Sequence, residues 1–147
     1  MKQILIITVL LMSITKSLSQ DFNFKKDHDA ILVKDLDKSA GFYAEIFGLE
    51  EIYNAGLGEN FRWFQLNDKV QIHLIKSNED FKPHKGVHLA INTDDLEGFM
   101  EFLRSKKVHF ENWPGKANTT NTRPDGIKQI YIEDPDGYWI EVNDNKL

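Results

Sequence analysis

Four side chains able to bind a metal ion recur at matched places in this sequence. His28-Asp29-Ala30-Ile31, followed by Asp35-Leu36-Asp37, returns sixty residues later as His88-Leu89-Ala90-Ile91, followed by Asp95-Leu96-Glu97. Downstream, Leu66-Asn67-Asp68-Lys69 leads into Ile72-His73-Leu74, and Asp134-Pro135-Asp136-Gly137 leads into Ile140-Glu141-Val142. His28 therefore matches His88, and His73 matches Glu141. Imidazole nitrogens and a carboxylate suit Zn, Ni, Fe or Mn. Such an ion polarises a carbonyl or stabilises an enediolate oxygen during proton transfer. A duplicated module carrying His28, His73, His88 and Glu141 at equivalent positions can close them around one ion. The other reading of the same four is a hydrogen-bonded His/Glu network lining a small-molecule pocket. His84 and His109 fall outside the repeat and are assigned to surface or packing roles.

The elements that must position these residues follow from periodicity. Ala30–Val33 reads as a buried strand, and Asp35 or Asp37 caps a helix that runs to about Phe47 and stops at Gly48. Phe42, Tyr43, Ile46 and Phe47 share one face of that helix. Glu51–Tyr53, Phe61–Leu66 and Val70–Ile75 read as strands, the last two forming a hairpin around Asn67-Asp68-Lys69. The first module, about residues 26–76, is thus β-α-β-β-β. The second, about 86–144, repeats the order. It has a strand at Val87–Ile91, then a helix opened by an Asp94/Glu97 capping box with Leu96, Phe99, Met100 and Leu103 as its stripe. Strands follow at Val108–Glu111, Ile127–Ile132 and Tyr138–Val142, the last two flanking the Asp-Pro-Asp-Gly turn. Between Glu111 and Ile127, the irregular stretch Asn112–Gly126 is expected to be a lid, with Arg123 as its strong anion binder, the other reading being a surface connector. Alternation along the strands places His28, His73, His88 and Glu141 on faces opposite the apolar ones. A closed core would not choose such residues, because buried charge is costly unless paired or metal-bound.

The first nineteen residues stand apart. Lys2 precedes the apolar run Ile4–Leu11, and Ser17-Leu18-Ser19 offers a cleavage site before Gln20. This is the pattern of a secretory signal peptide, too short for a membrane anchor. The expectation is an exported protein, periplasmic or secreted, with no membrane contact after cleavage. Gln20–Leu147 is of single-domain length, enough to bury about 68% of its unfolded surface without staples. There is no cysteine, hence neither disulfide nor thiolate ligand. Leaving out Lys2 and Lys16, 16 Lys and Arg face 23 Asp and Glu, a net charge of −7. That balance, with no basic cluster longer than Lys-Lys, argues against nucleic acid and anionic lipid surfaces.

Taken together, these residues resemble the vicinal oxygen chelate superfamily, which includes glyoxalase I, extradiol dioxygenases and fosfomycin- and bleomycin-resistance proteins. The matching segments are His28 through Asp35-Leu36-Asp37-Lys38-Ser39, Phe42-Tyr43, Phe47-Gly48-Leu49, Val87-His88-Leu89-Ala90 and Asp134-Pro135-Asp136-Gly137-Tyr138-Trp139-Ile140-Glu141. The resemblance implies an α+β fold whose paired βαβββ modules form an open eight-stranded, barrel-like sheet around one divalent ion. It also implies a homodimer in which two chains complete each other's sites. Carried over from glyoxalase I, the ligands are His28, His73, His88 and Glu141. His73 stands where that enzyme usually has glutamate. Glu50, Glu51 and Tyr53 occupy the stretch where it carries a basic glutathione-binding residue. The function expected is a metal-dependent lyase or isomerase acting on a small carbonyl compound, without glutathione. Glu141 would be the base, Trp63, Trp139 and Phe61 the pocket walls, and Arg123 the holder of a substrate carboxylate. The alternatives are an extradiol-type iron oxygenase using His28, His88 and Glu141, with His73 beyond the metal, and a non-enzymatic binder of small molecules.

Overall fold

The structure, a computed structural model, describes residues 22–146. The segment expected to be a signal peptide lies outside them. The first module contains β1 (His28–Val33), α1 (Leu36–Phe47), β2 (Glu50–Ile52), β3 (Phe61–Gln65) and β4 (Gln71–Lys76). The second contains β5 (His88–Asn92), α2 (Leu96–Lys106), β6 (Asn121–Thr122), β7 (Lys128–Glu133) and β8 (Trp139–Asn143). Each module makes its own four-stranded sheet, in the orders β1-β4-β3-β2 and β5-β8-β7-β6. The repeat read in the sequence is therefore a repeat of topology. β1 pairs parallel with β4, and β5 with β8. A parallel pair cannot be joined by a hairpin, so a helix and further strands must intervene in each module.

Local chemistry sets the helix ends. The Asp35 side chain accepts from Lys38 N at 3.0 Å, and Gly48 ends α1 at φ 65°, a left-handed conformation that glycine adopts without strain. In α2 the cap is Asp95, whose Oδ1 accepts from Gly98 N at 2.8 Å. The expected Asp94/Glu97 box is thus displaced by one residue. Asp94 pairs with Lys146 instead, and the cap falls at the repeat partner of Asp35.

A second correction concerns the strand expected at Val108–Glu111. Phe110 turns fully into the core, and only Glu111 reaches the edge of β7, exchanging two backbone hydrogen bonds with Tyr131 at 2.9 and 2.7 Å. The chain then folds back on itself, with Asn112 N donating to Lys116 O at 3.1 Å, and returns to β7 as β6. The stretch Asn112–Gly126 is therefore not irregular throughout. It carries a strand and a tight turn, in which Arg123 N donates to Ile127 O at 2.8 Å.

Alternation sorts each strand into two faces, as expected. Ile31, Val33, Ile72, Leu74, Ile130, Ile132, Ile140 and Val142 are buried in one apolar core with Tyr43 and Ile46 of α1 and Leu96, Met100 and Leu103 of α2. The two modules share this core. A polar tie runs through it: the buried Asp134 carboxylate accepts the Tyr43 hydroxyl at 3.0 Å through Oδ2. Through Oδ1 it accepts the amides of Asp136 and Tyr138, each at 2.9 Å. Next to it, Asp136 accepts from Ser39 Oγ and from Lys34 N. Burial pushes the Asp134 carboxyl above its ordinary range and the Tyr43 phenol up with it.

Removing that acceptor has a predictable cost. Asp134→Ala leaves a buried hydroxyl and two turn amides unpaired, and urea unfolding should show a loss of about 2–4 kcal/mol. Asp134→Asn retains an acceptor for the amides and should lose no more than about 1 kcal/mol. Equal losses in both variants would refute this account of the tie.

Candidate metal centre

The strand registers show what the repeat places side by side. In the first sheet Ala30, His73 and Trp63 form one row across β1, β4 and β3. In the second, Ala90, Glu141 and Tyr131 form the corresponding row across β5, β8 and β7. His28 and His88 lie one step along the same face, opposite Gln71 and Trp139. The expected residues thus come together as two pairs, His28 with His73 and His88 with Glu141. Among the described residues, no three His, Asp or Glu gather as a metal cluster.

The first pair is a column of rings. His73 is buried between Trp63, with centroids 3.9 Å apart and planes 3° apart, and His28, at 4.1 Å and 14°. His73 Nε2 bonds to Gln71 Oε1 at 2.8 Å, and His28 Nδ1 to Asp27 Oδ2 at 2.6 Å. Burial first, and then the charge on neighbouring His28, hold the His73 imidazole below its ordinary pKa. Phe61 shares the Trp63 face one row away, opposite Ile75.

The second pair is a charged network. Glu141 is 4% exposed. Its Oε2 accepts the Tyr131 hydroxyl at 2.6 Å and faces His88 Nε2 at 3.3 Å. Its Oε1 accepts from Asn143 Nδ2 at 2.7 Å and from Arg123 Nη1 at 3.3 Å. Burial and the Glu141 charge drive the Tyr131 phenol well up, so that it stays a donor. His88 Nδ1 lies 2.7 Å from the Lys85 carbonyl. A carbonyl only accepts, so Nδ1 carries a hydrogen, and the other ring nitrogen, Nε2, faces Glu141.

These contacts test the fit of a divalent ion. Each of the three histidines has one ring nitrogen engaged by an oxygen acceptor, which leaves the other as a lone pair. This is the usual support for ligating histidine. Between His88 Nε2 and Glu141 Oε2 two electron-rich atoms meet with no hydrogen between them when the ring is neutral. That pair fits an ion. The stacked rings of His28 and His73 direct their in-plane lone pairs along nearly parallel planes. As they stand they do not converge, and one ring must turn to share an ion with the other.

The sequence matches the Glyoxalase/Bleomycin resistance protein/Dioxygenase superfamily over residues 25–142. The chain belongs to this superfamily. It is 31% identical to a lactoylglutathione lyase of Schizosaccharomyces pombe over 81% of the chain, and it spans 47% of that protein. It is 29% identical to a probable lactoylglutathione lyase of Vibrio parahaemolyticus, over 81% of the chain and 89% of the relative. The solved structure of oxidase ChaP-H2 superposes with a TM-score of 0.69 at 23% identity, over 84% of this chain and 94% of that one, and shares its fold. The superfamily fold accounts for the paired βαβββ modules.

Several contributors were not evident from the sequence. Tyr131 precedes Glu141 by ten residues, as Trp63 precedes His73. That shared offset marks the aromatic cross-strand partner in each module and could have revealed Tyr131. Lys85 carried no signal. Its ammonium lies 4.4 Å from the Trp139 ring and 5.3 Å from the Tyr131 ring. It also bonds to Glu111 and to the Asn112 and Trp113 carbonyls. Of the other histidines, His84 and His109 are exposed, as expected.

The His73 shift fixes a pH dependence. The folded state binds this proton less well than the unfolded chain, so stability is full above the ordinary imidazole value of about 6.5 and falls as the pH drops below it. In metal-free protein, His73→Phe keeps a ring in the column but cannot titrate. Its melting temperature should fall less than wild type between pH 7 and pH 5, and an equal fall would exclude His73 as the source.

Proposed function

We propose that this protein is a divalent-metal-dependent lyase or isomerase of the glyoxalase type that acts on a small carbonyl compound without glutathione. The observation that carries the reading is the His88–Glu141 pair, in which the Lys85 carbonyl holds Nδ1 so that Nε2 faces a buried carboxylate at 3.3 Å. His88 and Glu141 of one chain, with His28 and His73, would hold one Zn, Ni, Fe or Mn ion, and the ion would supply a Lewis acid to the carbonyl oxygen.

The chain's own groups fill the remaining roles. Glu141 takes the proton from the carbon next to the carbonyl, the Tyr131 hydroxyl steadies the carboxylate, and Trp63, Trp139 and Phe61 keep water from the substrate. Independence from glutathione is supported on the first module. There Arg62 is committed to Glu51 through Nε and Nη2, at 2.8 and 2.5 Å, and to Asp37 through Nη1 at 2.9 Å. The proposal includes export, following the N-terminal apolar segment. No helix among the described residues is long and apolar enough to cross a membrane.

The proposal also includes a homodimer, in which the His28–His73 half of one copy meets the His88–Glu141 half of another. Support comes from the two half-sites lying on separate sheets. It comes also from the relatives, since proteins named as lactoylglutathione lyases match this chain both at similar length and at about twice its length.

A second reading has its own support. His73 is stacked and bonded to Gln71, so His28, His88 and Glu141 alone could form the two-His-one-carboxylate set of an iron oxygenase.

Metal analysis of protein purified without chelator tests both. About one equivalent of transition metal per chain is expected, lost in Glu141→Ala. Loss in His73→Ala as well favours the four-ligand lyase, and retention favours the oxygenase set. No metal after reconstitution would sink both readings and leave a small-molecule binding protein.

A further inference from the structure

Arg123 is the one permanently cationic side chain that touches Glu141 among the described residues. Tyr131 and Asn143 are neutral, and His88 is charged only when protonated. A carboxylate that is 4% exposed requires a compensating charge. Arg123 supplies it through Nη1 alone. Its other two nitrogens form a fork on Asp125, Nε to Oδ1 at 3.1 Å and Nη2 to Oδ2 at 2.5 Å. The tight turn from Arg123 to Ile127, in which Gly126 N donates to Arg123 O at 2.9 Å, fixes both residues at the end of β6. The guanidinium is therefore held from behind, and a single nitrogen, Nη1, is presented to the site.

This arrangement makes Arg123 a competitor of any divalent ion for the same carboxylate. An ion bound by His88 and Glu141 would neutralise Oε1 and Oε2 and would repel the guanidinium beside it. Asp125 would still anchor Arg123, so Nη1 would be left near the ion without a partner. Nη1 contacts Glu141 Oε1 at 3.3 Å and His88 Nε2 contacts Oε2 at 3.3 Å, so the Glu141 carboxylate stands between the two. A molecule with a carboxylate next to its carbonyl or hydroxyl group offers Nη1 an anionic partner in place of Oε1, which a neutral carbonyl compound lacks.

We propose that Arg123 is a specificity residue that exchanges Glu141 for the substrate's carboxylate when the ion binds, and that the substrate is a small 2-oxo or 2-hydroxy carboxylate. The proposal rests on the metal-dependent reading above and deepens it by naming the substrate class. Because binding free energies are linked, ion and anion then raise each other's affinity by the same factor.

Calorimetric titration of the chelator-stripped protein with NiCl2, followed by titration of the nickel-loaded protein with pyruvate and with methyl pyruvate, tests it. Arg123→Gln removes the competing cation and should bind nickel about ten-fold more tightly than wild type. Arg123→Lys keeps the charge and should stay within about two-fold of wild type. Wild type should prefer pyruvate to its neutral ester by about ten-fold, and Arg123→Gln should lose that preference. Arg123 is partly exposed, and circular dichroism of both variants checks that they fold. Nickel affinity in Arg123→Gln equal to or below that of wild type, or a pyruvate preference that survives the substitution, overturns the proposal while leaving the metal site in place. Absence of nickel binding by wild type removes the metal reading and this proposal together.

Discussion

The Asp134 carboxylate is the contact on which the arrangement of the two modules depends. It closes the turn between β7 and β8 through two backbone amides and reaches α1 of the first module through the Tyr43 hydroxyl. The turn sets the register of β8, and the register of β8 decides which face Glu141 occupies. A slip of one residue would send Glu141 into the apolar core and Ile140 to the site. The polar tie therefore fixes the chemistry of the second sheet from within the core. It explains why an ionisable group is kept where burial opposes its charge.

Duplication has given both modules one backbone plan and two different chemistries. The rows Ala30–His73–Trp63 and Ala90–Glu141–Tyr131 are superimposable in topology. In the first, flat rings stack and the polar atoms look sideways to Gln71 and Asp27. In the second, a carboxylate gathers donors from β7, β8 and the turn after β6 and faces His88 of β5. One half is a column of stacked rings, and the other is a buried carboxylate ringed by polar side chains.

Much of this was legible in the sequence because repeats and period-two alternation are local properties. The strand faces, the α1 boundaries and the candidate ligands all follow from residues a few positions apart. The errors have a common cause. The Asp-x-x-Glu spacing favours a cap at Asp94, whereas the repeat points to Asp95, where the cap lies. The strand at Val108–Glu111 looked as good as any other, but Phe110 gained more from the core than from a sheet edge. The pairing partner of β7 is instead supplied by Asn121–Thr122, two residues with no strand-like pattern. Lys85 was invisible because its role depends on Trp139 and Tyr131, more than forty residues away. The separation of the four candidates into two pairs is likewise a property of sheet placement that no spacing encodes.

The acceptors that orient His28 and His88 differ in kind. His28 is held by the Asp27 side chain, which a single codon change can delete or replace. His88 is held by the main-chain oxygen of Lys85, which every residue type possesses. The tautomer of His88 is therefore insulated from mutation at position 85 as long as the backbone keeps its path, while that of His28 is open to revision. The module containing Glu141 is built to stay as it is, and the module containing the ring column can be retuned one substitution at a time.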